Sequence, residues 1–128
     1  MMSDEFLSAI REAVARGHTH IDVIGLVERP AEHLEALAES GLVVRCVTIG
    51  LGLPPGETLD AVDIRLRRSA LDKMKRQIAD AALLGASSCR LIPSMERSSE
   101  AMVLLAAASE VLAEYAARRM LSFTVSLE

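Results

Sequence analysis

The chain has 128 residues, of which 51% are hydrophobic and 2% aromatic, without tryptophan, and a formal net charge of −4. That length suits one domain with one sizeable core, built from Ala, Leu, Val, Ile and Met. The charge, with no Lys/Arg stripe carrying interleaved aromatics, argues against nucleic acid as a partner. No apolar run reaches the ~18 residues of a membrane span and no basic leader opens the chain, so a cytoplasmic protein without a membrane partner is expected. Cys46 and Cys89 lack metal-ligand spacing and read as buried small hydrophobes.

In chain order, Ser3 is a candidate N-cap, with Asp4 and Glu5 at the positive end of a first helix carrying Phe6, Ile10, Ala13 and Val14 at helical spacing. Gly17 ends it, and Ile21–Val27 is a β-branched strand. Pro30 suits the first turn of a second helix, whose inner stripe is Leu34, Leu37 and Ala38 and whose stop is Gly41. Leu42–Ile49 is the second strand. A Gly- and Pro-rich loop over Gly50–Asp63 follows, expected to be flexible. The longest helix spans Ile64–Leu84, with Leu71, Met74, Ile78, Ala81 and Ala82 on its apolar face. Asp72, Lys73, Lys75, Arg76 and Asp80 are expected to be solvated there. Cys89–Ile92 is a third strand. A fourth helix starts near Ser98 or Ser99 and carries Met102, Leu105, Ala108, Leu112 and Tyr115 inward. Met120–Leu127 is the last strand.

Helices and strands alternate four times with no hairpin signal. The fold class is therefore α/β, a parallel sheet of four strands with four helices joined by right-handed crossovers. The loop Gly50-Leu-Gly-Leu-Pro-Pro-Gly56 fails the dinucleotide fingerprint, because its glycines are misplaced and two prolines remove N–H donors. The acidic cluster of a phosphoacceptor module is also missing from the strand ends. His18 and His20 lie in a turn at the N-terminal end of a strand, the end opposite to where parallel sheets build sites. His33 is expected to be exposed in the first turn of its helix.

Three stretches together resemble the sugar-phosphate isomerase/epimerase family of the xylose-isomerase-like TIM barrels. Gly17–Leu26 is similar to the family's helix-to-strand entry, with Asp22 matching its aspartate. Asp63–Pro93 matches its helix-to-strand pattern at Arg68, Ala70, Leu71, Lys75, Ile78, Ala81, Leu84, Gly85, Ala86 and Arg90. Glu110–Glu128 is similar to the pattern that closes a strand on a glutamate. Placed on the family's barrel, the chain would run from the first helix through strands two to five. It would form a partial, half TIM barrel, since a whole one takes about 250 residues.

The resemblance implies a small sugar or sugar phosphate as ligand, within carbohydrate metabolism. It also implies a divalent metal (Mn²⁺, Mg²⁺, Co²⁺ or Zn²⁺), with Glu128 as a metal ligand. Arg90, matching the family's arginine, and Glu28, on the rim past the second strand, are candidates for substrate binding. The chain departs from the family at Gly25, where members carry a glutamate, and at Thr48 and Ile92, where many carry histidines. A half barrel would leave an inner face including Val44, Cys46, Thr48 and Ile92 uncovered. Homo-oligomerisation or a complementary barrel half would cover it; alternatively the first helix would move across to that face. A non-catalytic half barrel and an unrelated α/β binding module are the competing readings.

Overall fold

The computed structural model describes residues 2–127, with side chains from residue 4 onward. Four helices and four strands alternate: α1 (Met2–Ala15), β1 (His20–Ile24), α2 (Ala31–Ser40), β2 (Val43–Ile49), α3 (Ile64–Leu83), β3 (Ser88–Leu91), α4 (Ser99–Ala117) and β4 (Ser122–Val125). The four strands form one parallel sheet in the order β1-β2-β3-β4. Sequential order with right-handed crossovers places α2, α3 and α4 on the same face. The helix limits follow local chemistry. Asp63 caps α3 by accepting from the Arg65 N–H at 2.9 Å, and Ser98 caps α4 by accepting from Ala101 at 3.1 Å. Helix α1 begins at Met2, so Ser3 stands inside it rather than at its cap; the Ser3 side chain lies outside the described residues.

The core lies between sheet and helices. Val47, Ile49, Cys89 and Leu91 point into it from β2 and β3, and meet Met74, Ile78 and Ala81 from α3 and Leu105, Leu112 and Ala116 from α4. These are the apolar faces that the 3.6- and 2-residue periods of the sequence imply.

The opposite face of the sheet is largely polar, with the exposed Ile24 of β1 beside Thr48. Thr48, Arg90 and Thr124 stand in one register row across β2, β3 and β4, and Cys46, Ser88 and Ser122 in the next. Val44 was expected on that face but is 3% exposed, within the core. Its partner is Ile21, whereas Val47 pairs with Val23, so β2 carries an extra residue between them and the parity of Val44 is inverted. Helix α1 packs on α2 in the helical layer and leaves the polar face open.

Candidate functional site

In parallel α/β proteins the loops at the C-terminal ends of the strands build the site. Here two of those loops are held by one polar row on α3, at Ser69, Lys73, Gln77 and Asp80, spaced three or four residues apart.

Gln77 is 2% exposed. Its Nε2 donates to the carbonyls of Gly25 (3.2 Å) and Leu51 (3.0 Å), and its Oε1 accepts from the Gly50 N–H (2.8 Å). One buried amide thus fastens the end of β1 to the end of β2. Such burial is tolerable because both polar ends are satisfied. The backbone must come close for this. A Cβ at position 25 would stand 3.0 Å from Val47 Cγ1 and 3.1 Å from Gln77 Cβ, so a side chain there would press on both.

Asp80 was expected in solvent. Instead its Oδ2 accepts from the Leu26 N–H (2.9 Å) and from Arg29 Nη2 (2.6 Å), and its Oδ1 accepts from Arg29 Nε (3.1 Å). The two side chains are 3% and 2% exposed. The bond to Leu26 also explains why β1 stops at Ile24 rather than Val27. Gly25 still donates to Thr48 O at 2.7 Å, but the next N–H is turned toward α3. Arg29 further donates to Ile24 O (2.9 Å) and to His33 Nδ1 (3.1 Å). A guanidinium only donates, so Nδ1 is the acceptor and the ring's proton sits on Nε2.

His33 is 1% exposed, not solvated. Its ring stacks on Phe6 with centroids 4.0 Å apart and planes 13° apart, and the Arg29 guanidinium lies 5.0 Å from the Phe6 centroid. Burial, and after it the Arg29 charge, hold the His33 pKa below the ordinary 6.5, against smaller opposing effects of Glu32 and Asp80. Within α2 the inner stripe is therefore His33 and Leu37, four apart, while Ala38 is exposed.

The loop after β2 is anchored rather than flexible. Glu57, 7% exposed, accepts from Lys73 Nζ through both oxygens (2.8 and 2.7 Å) and from the Ser69 hydroxyl. Lys73 first, and Ser69 next, hold its carboxyl below the usual carboxylate range. Gly50 crosses the end of β3 so closely that a Cβ would lie 2.6 Å from Ile92 O, at φ +94°, where glycine alone is comfortable.

Between these loops opens a rim cavity of about 350 Å³, whose walls include Ile24, Leu26, Glu28, His33, Leu51 and Gln77. The polar atoms of Gln77 and Asp80 are committed to the loops, so these residues position the rim. Glu28 is exposed at the cavity and offers a carboxylate to hydroxyl groups. Arg90 is half-buried on the polar face between Thr48 and Thr124, and is not among the cavity's lining residues. The cavity lining includes Glu28, and Ile24 from the same register row as Arg90. Glu128 lies outside the described residues. Among the described residues no three His, Cys, Asp or Glu side chains gather as a metal site would require, so the donors present do not fit a divalent metal.

Sequence reasoning missed Gln77, Asp80, Arg29 and His33. A signal was available for two of them. Gln77 occupies the stripe 70-74-77-81, and His33 stands four residues before Leu37, so each is a polar residue at an inward position.

No protein-family model matches the chain, and no curated protein matches it. Solved structures do. D-psicose 3-epimerase, determined in the presence of D-fructose, superposes with a TM-score of 0.74 at 14% identity, over 94% of this chain and 46% of that one. 3-Keto-D-glucoside 4-epimerase from E. coli gives 0.71 at 18% identity, over 94% and 50%. A xylose isomerase-like TIM barrel protein from Mycobacterium smegmatis, in complex with magnesium, gives 0.66 at 17% identity, over 94% and 45%. The chain spans about half the length of the structures it matches, and its fold is half of a xylose-isomerase-like TIM barrel.

Proposed function

We propose that the chain supplies the substrate-binding wall of a sugar or sugar-phosphate isomerase or epimerase, as the half barrel running from the first helix through strands two to five. The supporting observation is the polar face. The Thr48–Arg90–Thr124 row presents two hydroxyls beside a guanidinium on the side of the sheet that becomes the interior of a closed barrel. Such a row can donate to sugar hydroxyls, and the guanidinium matches a phosphate or carboxylate. Likeness to two epimerases of carbohydrates favours the same ligand class.

In this reading Arg90 binds the anionic or most polar end of the ligand. Glu28 accepts hydroxyl donors at the rim, while Gln77 and the Arg29–Asp80 pair hold the loops that shape the entrance. The chemistry of the class is proton transfer beside a carbonyl or hydroxyl. Within the described residues the donors for a divalent metal are not assembled, so a metal would be held by the rest of a complete barrel, with Glu128 as the one contribution expected from this chain. The polar face and the outer edges of β1 and β4 would be covered by a complementary half barrel or a second copy. Free cysteines and the absence of any described helix long and apolar enough to cross a membrane are compatible with a cytoplasmic setting.

Titration with D-fructose, D-psicose and their phosphates, followed by saturation-transfer NMR, tests the reading. Millimolar binding is expected, with Arg90→Met weakening the phosphorylated ligands roughly tenfold, about 1.4 kcal/mol. No binding by any oligomeric fraction, or equal binding by the Arg90→Met variant, would refute it.

A further inference from the structure

The register row across the open face does not end at Thr48. It continues onto β1 and reads Ile24, Thr48, Arg90, Thr124. Ile24 is 49% exposed, an apolar side chain at the end of an otherwise polar line. It also lines the rim cavity of about 350 Å³, together with Leu26, Val27, Pro30 and Leu51. Row and cavity are therefore one continuous surface joined at Ile24, and its polarity changes along its length. One end carries a guanidinium between two hydroxyls; the other is aliphatic. The Gln77 amide at the cavity is spent on Gly25, Gly50 and Leu51, and the exposed charge among the lining residues is Glu28. Glu28 follows Ile24 by four residues, beyond the end of β1, so it stands on the rim above the row rather than in line with it.

We propose that this surface takes a monophosphorylated deoxy sugar lying along the row, with its phosphate at Arg90 and its terminal methyl group on Ile24 and the aliphatic cavity. The proposal rests on the reading of the polar face as a sugar-binding wall, and adds to it the orientation and chemical class of the ligand. Charge sets the orientation. A phosphate at the β1 end would face the Glu28 carboxylate, like charge against like, whereas at the β3 end it meets the guanidinium. The length fits as well. Neighbouring strands lie about 4.8 Å apart, so Ile24 and Arg90, two strands apart, are separated by roughly 10 Å, the reach of one sugar phosphate. Desolvation sets the class. A hydroxymethyl group over Ile24 would lose water without gaining a partner among Ile24, Leu26 and Leu51, whereas a methyl group gains by the same burial. Hydroxyls from the middle of the ligand that point out of the mouth reach Glu28, so the carboxylate serves the body of the sugar and not its end.

A matched series differing at one carbon tests the proposal: 6-deoxy-D-fructose 1-phosphate, D-fructose 1-phosphate and D-fructose 1,6-bisphosphate, titrated into the intact chain and read by saturation-transfer NMR. The deoxy sugar should bind about fivefold more tightly than D-fructose 1-phosphate. The bisphosphate should bind about tenfold more weakly than D-fructose 1-phosphate. Ile24→Asn, at an exposed position where circular dichroism should show the fold kept, should erase the deoxy preference while D-fructose 1-phosphate still binds. Glu28→Gln should bring the bisphosphate to within about twofold of the monophosphate and leave the deoxy preference unchanged. Arg90→Met should weaken both monophosphates alike. Equal binding of the deoxy and hydroxy sugars, a preference that survives Ile24→Asn, or a bisphosphate that binds as tightly as the monophosphate overturns the proposal and leaves the sugar-binding wall standing. Failure of all three ligands to bind refutes the wall itself, and the proposal with it.

Discussion

Replacing Asp80 by asparagine keeps the shape of the side chain that holds the loop after β1, and removes the charge facing Arg29. The pair is 2.6 Å apart with both side chains about as buried as the hydrophobic core, at 2% and 3% exposure. Breaking one partner of such a pair leaves a buried, uncompensated charge, which costs about 3–5 kcal/mol. The asparagine would keep an acceptor for the Leu26 N–H but would set an amide against the guanidinium, so a loss near 3 kcal/mol is expected. Arg29→Met should cost a similar amount, because the Asp80 carboxylate would then retain only the Leu26 N–H. The double variant buries no unpaired charge and should cost about 2–3 kcal/mol less than the sum of the singles. Urea unfolding followed by far-ultraviolet circular dichroism reads this directly. With a slope of roughly 2 kcal/mol/M, each single change should move the midpoint by about 1.5 M. If Asp80→Asn costs under about 1 kcal/mol, or if the cycle is additive, the pair does not hold the loop as described.

Acid should weaken the same region through His33. Its folded-state pKa lies below the ordinary 6.5, so the folded state binds the proton less readily than the unfolded one. Its contribution is therefore complete above 6.5 and is lost as pH falls from there through the lower folded value. Urea midpoints at about pH 7.5 and 5.5 should differ in the parent and converge in His33→Phe, and an unchanged difference in that variant would count against this assignment. Met120, at φ +63° and 90% exposed, adopts a left-handed conformation without burial to offset the cost. Met120→Gly should therefore stabilise by about 0.5–1 kcal/mol, visible as a rise in melting temperature. A fall would show that the strain is not there. Burial pushes the Cys89 thiol up to about 11, with Cys46 adding a smaller effect, whereas Cys46 sits half-buried on the polar face. A thiol reagent at neutral pH should modify Cys46 and spare Cys89 until unfolding, and Cys46→Ser should abolish the native-state reaction.

The alternating α/β order and most of the apolar faces of α3 and α4 were legible because the large apolar residues there follow the helical period, although Ala82, expected on the α3 face, is exposed. Met74, Ile78, Leu105 and Leu112 stand where the spacing puts them. The likeness to a half barrel was carried by the order of three such stretches. The extra residue in β2 left no mark in the run LVVRCVTI, since Val44 suits either face. His33, Lys73 and Asp80 were misjudged for one reason: a charged or polar type implies solvent only when no partner folds onto it. Their partners Phe6, Arg29 and Glu57 come from other elements, and 51 residues separate Arg29 from Asp80. Tertiary pairing at that range has no local periodicity. The placement of Glu28 just past β1 was legible from the strand pattern, and that of Arg90 on the open sheet face from strand alternation. The row on α3 that shapes the entrance was not.

The Gln77 amide has a mechanical consequence. Because it bonds Gly25, Gly50 and Leu51 together, the first residues of the two loops hang from α3 as much as from their own strands. Opening either loop would leave buried polar atoms of the same side chain unsatisfied, so the two cannot fray one at a time without that penalty. They should exchange their amide hydrogens as one cooperative unit with the middle of α3. Any tilt of that helix would reach both sides of the entrance together, making its width a property of α3.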